Sequence, residues 1–180
     1  FKIKTGFAGT PLMLPTLFEC GLDDYAYRLL MNEELPGWLY AVNMGATTIW
    51  ERWNSVLPDG TISGTGMNSL NHYAYGSVCQ AIYGYIAGLR PAAPGWKRAV
   101  IAPRTNWRLR EIDLAYRSPS GTYRVAWKLL DSGQLDVELS IPSGAVAQVE
   151  LPGREGMELL GGDYHFLYRP ETDYLHPFSR

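Results

Sequence analysis

Glu51 stands between two tryptophans in Gly45-Ala46-Thr47-Thr48-Ile49-Trp50-Glu51-Arg52-Trp53-Asn54, a spacing that suits carbohydrate chemistry. Indole faces cover the apolar side of a pyranose, while a carboxylate handles a hydroxyl or a water. Trp50 and Trp53 are therefore candidate sugar-binding residues and Glu51 a candidate catalytic one. A plainer reading competes: at i and i+3 the two tryptophans would share a buried helix face, with Glu51 pointing to solvent. If the turn is helical, Thr47 lies one turn before Glu51 and its hydroxyl could orient the carboxylate. Arg52 would point elsewhere and contribute packing or long-range charge.

The second candidate is His72, 21 residues later, in Asn68-Ser69-Leu70-Asn71-His72-Tyr73-Ala74-Tyr75-Gly76. Its two ring nitrogens can donate to or accept from neighbouring sugar hydroxyls while neutral. The alternative is a satisfied core histidine among aromatics. Between the two stretches, Pro58-Asp59-Gly60 and Ser63-Gly64-Thr65-Gly66 form a polar, glycine-rich loop that either borders a pocket or is a plain surface connection.

Other polar groups have simpler explanations. Asp23-Asp24 and Glu33-Glu34 read as helix-end charge and a solvated face, His165 and His176 as surface residues, and Asp131-Ser132-Gly133 as turn chemistry. Cys20 and Cys79 sit in apolar helical surroundings and read as buried free thiols, and neither belongs to a metal-ligand spacing. No metal or cofactor is expected.

A net charge of −2 with scattered basic residues gives no electrostatic footprint for nucleic acid or an anionic membrane. The 46% apolar content over 180 residues is ordinary for one or two globular domains. No apolar run reaches the ~18 residues a membrane span requires. The chain opens on Phe1-Lys2-Ile3-Lys4 and reads as the tail of something longer, so targeting information could lie upstream. Nothing fixes a compartment, and the cytoplasm is the working expectation.

These candidates sit in a helical first half. Thr10-Pro11 offers a capping hydroxyl ahead of a proline, Leu12, Leu14, Leu17 and Phe18 follow, and Gly21 closes the segment. A second helix is expected over 23–34, with Tyr27, Leu30 and Met31 on one face, and Pro36-Gly37 ends it. The apolar run 38–42 fits a strand or an extended loop, and 46–53 one or two helical turns. From 76 to 87 the pattern is helical and apolar nearly all round, so that helix needs cover from others.

Arg90-Pro91-Ala92-Ala93-Pro94-Gly95 breaks the helical pattern and marks the expected boundary, giving domains 1–90 and 91–180. Beyond it the period becomes alternating. Strands are expected over 96–102, 109–118, 122–130, 135–141, 146–151 and 163–168. Pro119-Ser120-Gly121, Asp131-Ser132-Gly133 and Pro142-Ser143-Gly144 supply hairpin turns. Short, regularly spaced strands indicate an antiparallel sandwich. The last ten residues receive no assignment.

Four ordered blocks carry a more specific signal: Phe7-Ala8-Gly9-Thr10-Pro11, Trp38-Leu39-Tyr40, Gly45-Ala46-Thr47-Thr48-Ile49-Trp50-Glu51-Arg52-Trp53, and Met67-Asn68-Ser69-Leu70-Asn71-His72-Tyr73-Ala74-Tyr75-Gly76. In that order they resemble the C-terminal part of bacterial α-L-rhamnosidases, glycoside hydrolase family 78, over essentially the whole chain. The resemblance implies a mixed α and β, multidomain fold: the last helices of an (α/α)6 toroid followed by an antiparallel β-sandwich. It also implies inverting hydrolysis of terminal α-L-rhamnosides. Glu51 takes the place of the general base that activates water, and His72 that of a histidine contacting rhamnose. Trp50 and Trp53 match aromatic positions of the motif.

In relatives the general acid and its acidic, arginine-containing surroundings lie upstream, outside the matched blocks. The implied partners are a rhamnose-containing glycoside and the missing N-terminal part of the same protein, with no nucleic acid or membrane. In isolation the chain is expected to hydrolyse little and to self-associate through the 76–87 helix. A non-catalytic carbohydrate-binding or structural module is the competing reading.

Overall fold

A computed structural model describes residues 2–64 and 66–170, so the unassigned tail and His176 lie outside the described residues. The chain divides into two compact units, Phe1–Ala81 and Ile82–Arg180.

In the first unit, helix α1 spans Thr10–Glu19 and buries Thr10, Leu14 and Phe18, which recur every four residues along one face. Its cap is Gly9, and Thr10 is already helical. The Thr10 hydroxyl, expected to cap the helix, instead donates backward to the Gly6 carbonyl at 2.8 Å. At the other end Gly21 takes φ +69°, the Gly21 N–H donates to Phe18 O and the Leu22 N–H to Leu17 O. That pair of bonds is a Schellman closure, which requires the left-handed conformation glycine adopts without strain.

Helix α2, Asp23–Leu30, carries Asp23 and Asp24 in its first turn and Arg28 in its last, each matching the helix dipole. Tyr27 is fully buried and meets Phe18 edge to face at 5.9 Å, joining α2 to α1. The helix stops at Leu30, short of the expected 34, where the Asn32 side chain donates to the carbonyls of Glu34 and Pro36. An amide that satisfies loop carbonyls offers the backbone an alternative to further helix.

Residues Trp38–Asn43 form helix α3, where a strand or extended loop was expected. A six-residue apolar run satisfies either template, and side-chain anchors decide: Trp38 Nε1–H donates to Tyr75 O at 2.9 Å, and the Tyr40 hydroxyl to Val56 O at 2.8 Å. Gly45 closes α3 as Gly21 closes α1, with φ +84° and an Ala46 N–H to Ala41 O bond. Residues 46–53 then run as bends and a turn, with no helix. Their local spacing permits a helix, but hydrogen bonds to a distant segment override it. A 3-10 turn, Ala74–Ser77, leads into α4, Val78–Ala81, which packs on α1.

The second unit opens with a π-helical turn, Ile82–Ile86. Six strands follow among the described residues: β1 Leu89–Pro91, β2 Arg98–Ile101, β3 Glu111–Ser118, β4 Gly121–Leu129, β5 Leu135–Val149 and β6 Met157–Tyr168. They form one curled sheet in the order β1-β2-β5-β4-β3, with β6 also on β5. The pairings are antiparallel except β2 with β5, which run parallel from Arg98↔Val146 to Ile101↔Val149. The two strands expected at 135–141 and 146–151 are one long strand. Pro142-Ser143-Gly144 makes a bulge in it instead of a hairpin, shifting the register between Ile141 and Val146. Gly144 supplies the left-handed residue at φ +80°.

The core follows the alternation: Tyr123, Val125, Trp127 and Leu129 on β4 face inward, as do Leu135, Val137, Leu139 and Ile141 on β5. Trp127 satisfies its indole N–H on Ile86 O at 2.9 Å. Gly88, at φ +77°, lies so close to the chain leaving β2 that a Cβ there would sit 2.2 Å from the Ala102 carbonyl carbon. On the wet face Arg124 grips Asp113 through two nitrogens at 2.9 Å and Glu138 at 2.6 Å. The guanidinium holds the Asp113 carboxyl below its usual range. His165 is exposed and pairs with Asp136 on this face. Cys20 and Cys79 are both free but exposed, against the expected burial: Cys20 is the residue that caps the end of α1, and Cys79 falls on an outward position of α4.

Candidate active site

The first unit brings Glu51 and His72 together on two hydrogen-bonded segments, 48–52 and 67–72. The His72 N–H donates to Ile49 O at 2.7 Å, and the Glu51 N–H to Ser69 O at 2.9 Å. The Thr48 hydroxyl donates to Leu70 O at 2.5 Å, and Arg52 Nε–H to Met67 O at 2.7 Å. Arg52 thus binds the facing loop directly instead of contributing only packing or long-range charge.

The carboxylate of Glu51 is held from one side. The Ser69 N–H donates to Oε2 at 2.7 Å, and Oε1 accepts no hydrogen bond among the described residues. With the segment non-helical, Thr47 does not stack over Glu51, and a backbone amide does the orienting. A backbone N–H carries no residue-type signature, so the role of Ser69 is invisible in the sequence. One fixed and one open oxygen is the arrangement in which a carboxylate can accept a proton from a bound water.

His72 is half-buried, and its Nδ1 accepts the Ala74 N–H at 3.2 Å. Only one nitrogen therefore remains for a ligand, and it is a donor: with the Nδ1 lone pair committed, the neutral ring carries its proton on Nε2. The imidazole lies nearly parallel to Phe7, 4.9 Å between centroids and 15° between planes. It lies likewise against Tyr73, at 5.2 Å and 9°.

The tryptophans take other positions. Trp50 is 6% exposed and belongs to the core of its unit. Trp53 stacks on Tyr75 at 3.9 Å, meets Trp38 edge-on at 5.1 Å, and gives its N–H to Thr5 O. One of its faces is thus occupied by protein. Burial pushes the Tyr75 phenol upward, with Arg52 pulling the other way.

The glycine-rich loop is held by hydrogen bonds at its base and within it. Asn68 Nδ2–H donates to Ser55 O at 3.0 Å, and the Arg52 N–H to the Ser55 hydroxyl at 3.1 Å. Hydrogen bonds from the Thr61 hydroxyl and N–H hold the Asp59 carboxyl below its usual range. Among the described residues no group of three or more His, Cys, Asp or Glu side chains could hold a metal ion, and no helix is long and apolar enough to cross a membrane.

Two family models cover the chain nearly end to end. Residues 1–86 match the bacterial α-L-rhamnosidase six-hairpin glycosidase domain, and residues 88–165 the bacterial α-L-rhamnosidase C-terminal domain. Helices followed by a β domain are thus the tail end of a six-hairpin glycosidase architecture. The α-L-rhamnosidase of an Alteromonas species is 41% identical over 150 residues, covering 83% of this chain, and that of Streptomyces avermitilis 41% over 152 residues, covering 84%. The chain belongs to the bacterial α-L-rhamnosidase family. It spans only 16% and 15% of the length of those two relatives.

Solved structures agree. The α-L-rhamnosidase of Aspergillus terreus superposes with a TM-score of 0.89 at 38% identity, over 93% of this chain and 20% of that one. The S. avermitilis enzyme, crystallised with L-rhamnose, gives 0.86 at 34% identity, over 93% of this chain and 18% of that one.

Proposed function

We propose that the chain is part of an inverting α-L-rhamnosidase, to which it contributes the general base Glu51 and the sugar contact His72. The observation that carries this reading is the Glu51 carboxylate itself, fixed through Oε2 and open at Oε1, on a segment hydrogen-bonded to the one bearing His72. In this mechanism Oε1 takes a proton from a water that attacks the anomeric carbon. A carboxylic acid elsewhere in the longer protein protonates the leaving oxygen, and the two carboxyl groups stand roughly 6.5–9.5 Å apart to admit the water. His72 Nε2–H donates to a sugar hydroxyl without transferring its proton. Alone, the chain lacks the acid half of the pair and is expected to turn over little substrate.

Titrating the 180-residue chain with L-rhamnose while following tryptophan fluorescence tests the site. The expected result is a saturable change that weakens in His72→Ala. Binding unaltered by that substitution would move the sugar site elsewhere and favour a carbohydrate-binding module. No binding at all would favour a structural module.

Self-association of the isolated chain belongs to the same proposal, through a different surface from the 76–87 helix. Val78, Ala81, Tyr85 and Ile86 there are buried, whereas Leu12, Val42, Ile62 and Met67 are exposed by 58–70%. Large apolar side chains left exposed in this way favour association. Light scattering is expected to give a mass that rises with concentration; a constant monomer mass across the range would count against it.

A further inference from the structure

We propose that Phe7 is a positioning residue for His72. The functional meaning of this inference rests on the sugar-contact reading of His72; what it adds is the group that aims the imidazole. A histidine ring has two side-chain torsions, and half a turn about the outer one exchanges Nδ1 with a carbon at almost no steric cost. The Ala74 N–H selects between those two states, but at 3.2 Å it is a long bond and does not fix the ring plane. Phe7 fixes the plane, lying 4.9 Å from the imidazole at 15°.

Phe7 is itself braced. Tyr75 meets it at 5.3 Å and 63°, and Tyr75 in turn stacks on Trp53. Hydrophobic burial does not account for Phe7, since 45% of it remains exposed. A phenylalanine placed for core packing would be covered; this one covers an imidazole. Stack and amide together leave a single outcome, in which Nδ1 is occupied and Nε2–H is the donor directed away from the backbone. Tyr73, parallel to the same imidazole, is 88% exposed and has little to hold it in place, so the clamp depends on Phe7.

The test is nitrogen NMR of the His72 ring in the 180-residue chain, with amide exchange at Ala74 as a second reading. The wild type is expected to show one neutral tautomer, protonated on Nε2, and a protected Ala74 amide. Phe7→Leu keeps apolar bulk without a flat ring; it is expected to average the tautomers and to speed Ala74 exchange about tenfold. Phe7→Tyr restores the ring plane and should restore both signals, which a merely space-filling role would not require. Unchanged tautomer and exchange in Phe7→Leu would overturn the proposal. L-rhamnose titration of the wild type separates the two readings: if the sugar does not bind, the contact role of His72 falls, while the tautomer measurement still decides what Phe7 does.

Discussion

Glu51→Gln, made in a full-length rhamnosidase that contains this chain, is expected to lower kcat by about 10²–10⁴-fold, the usual contribution of a positioned acid or base. The amide is nearly isosteric, and its carbonyl oxygen can still accept the Ser69 N–H that now holds Oε2 at 2.7 Å. The segment should therefore stay in place, with a stability change of about 0.5 kcal/mol or less. On the proposed base role, what is lost is proton affinity at the open oxygen, which would act only as the water attacks. KM should accordingly change far less than kcat. Steady-state kinetics beside a thermal melt reads both quantities, and near-normal turnover would remove Glu51 from the mechanism.

The largest effect on stability is expected at Trp127. Its indole is 2% exposed near the C-terminal end of β4, opposite Val137 of β5. Truncation to alanine leaves a cavity of indole size, and such changes cost about 3–5 kcal/mol. The Ile86 carbonyl loses the indole N–H as well, adding about 1–3 kcal/mol if no water replaces it. Against a typical net stability of about 5–15 kcal/mol, that is enough to unfold the sheet unit. Trp127→Phe retains most of the ring and should lose roughly a third as much. Because the chain has two units, denaturant unfolding is best followed by amide signals from β4 and β5. A loss below about 1 kcal/mol for Trp127→Ala would mean the sheet relaxes around the gap.

How much of this was legible in the sequence depends on how local the deciding interactions are. Strands β3 and β4 were legible because alternation and a Pro-Ser-Gly turn agree, and both signals lie within the segments they describe. Pro142-Ser143-Gly144 offers the same letters yet makes a bulge, since β6 runs past it and pairs on both sides. The apolar run of α3 was ambiguous because six residues complete neither period. Glu51 and His72 could be named from their motif, but not the shape of their support. The turn around Glu51 is fixed by bonds to residues 67–72, which no helical spacing rule contains. Residue type alone does not disclose burial: Trp50 lies in the core, and Trp53 shares a face with Tyr75.

The bulged strand β5 has a consequence for synthesis. Its first half pairs with β4, its second half with β2, and β6 bridges both halves. Strand β6, ending at Tyr168, is the last of the six to leave the ribosome. Until it emerges, β5 has an unpaired flank along most of its length, and nascent chains with such open flanks are where sheet proteins misassemble. Completion of the sheet therefore waits for β6, and a stop codon that removed that strand would expose the one on which the rest of the sheet depends.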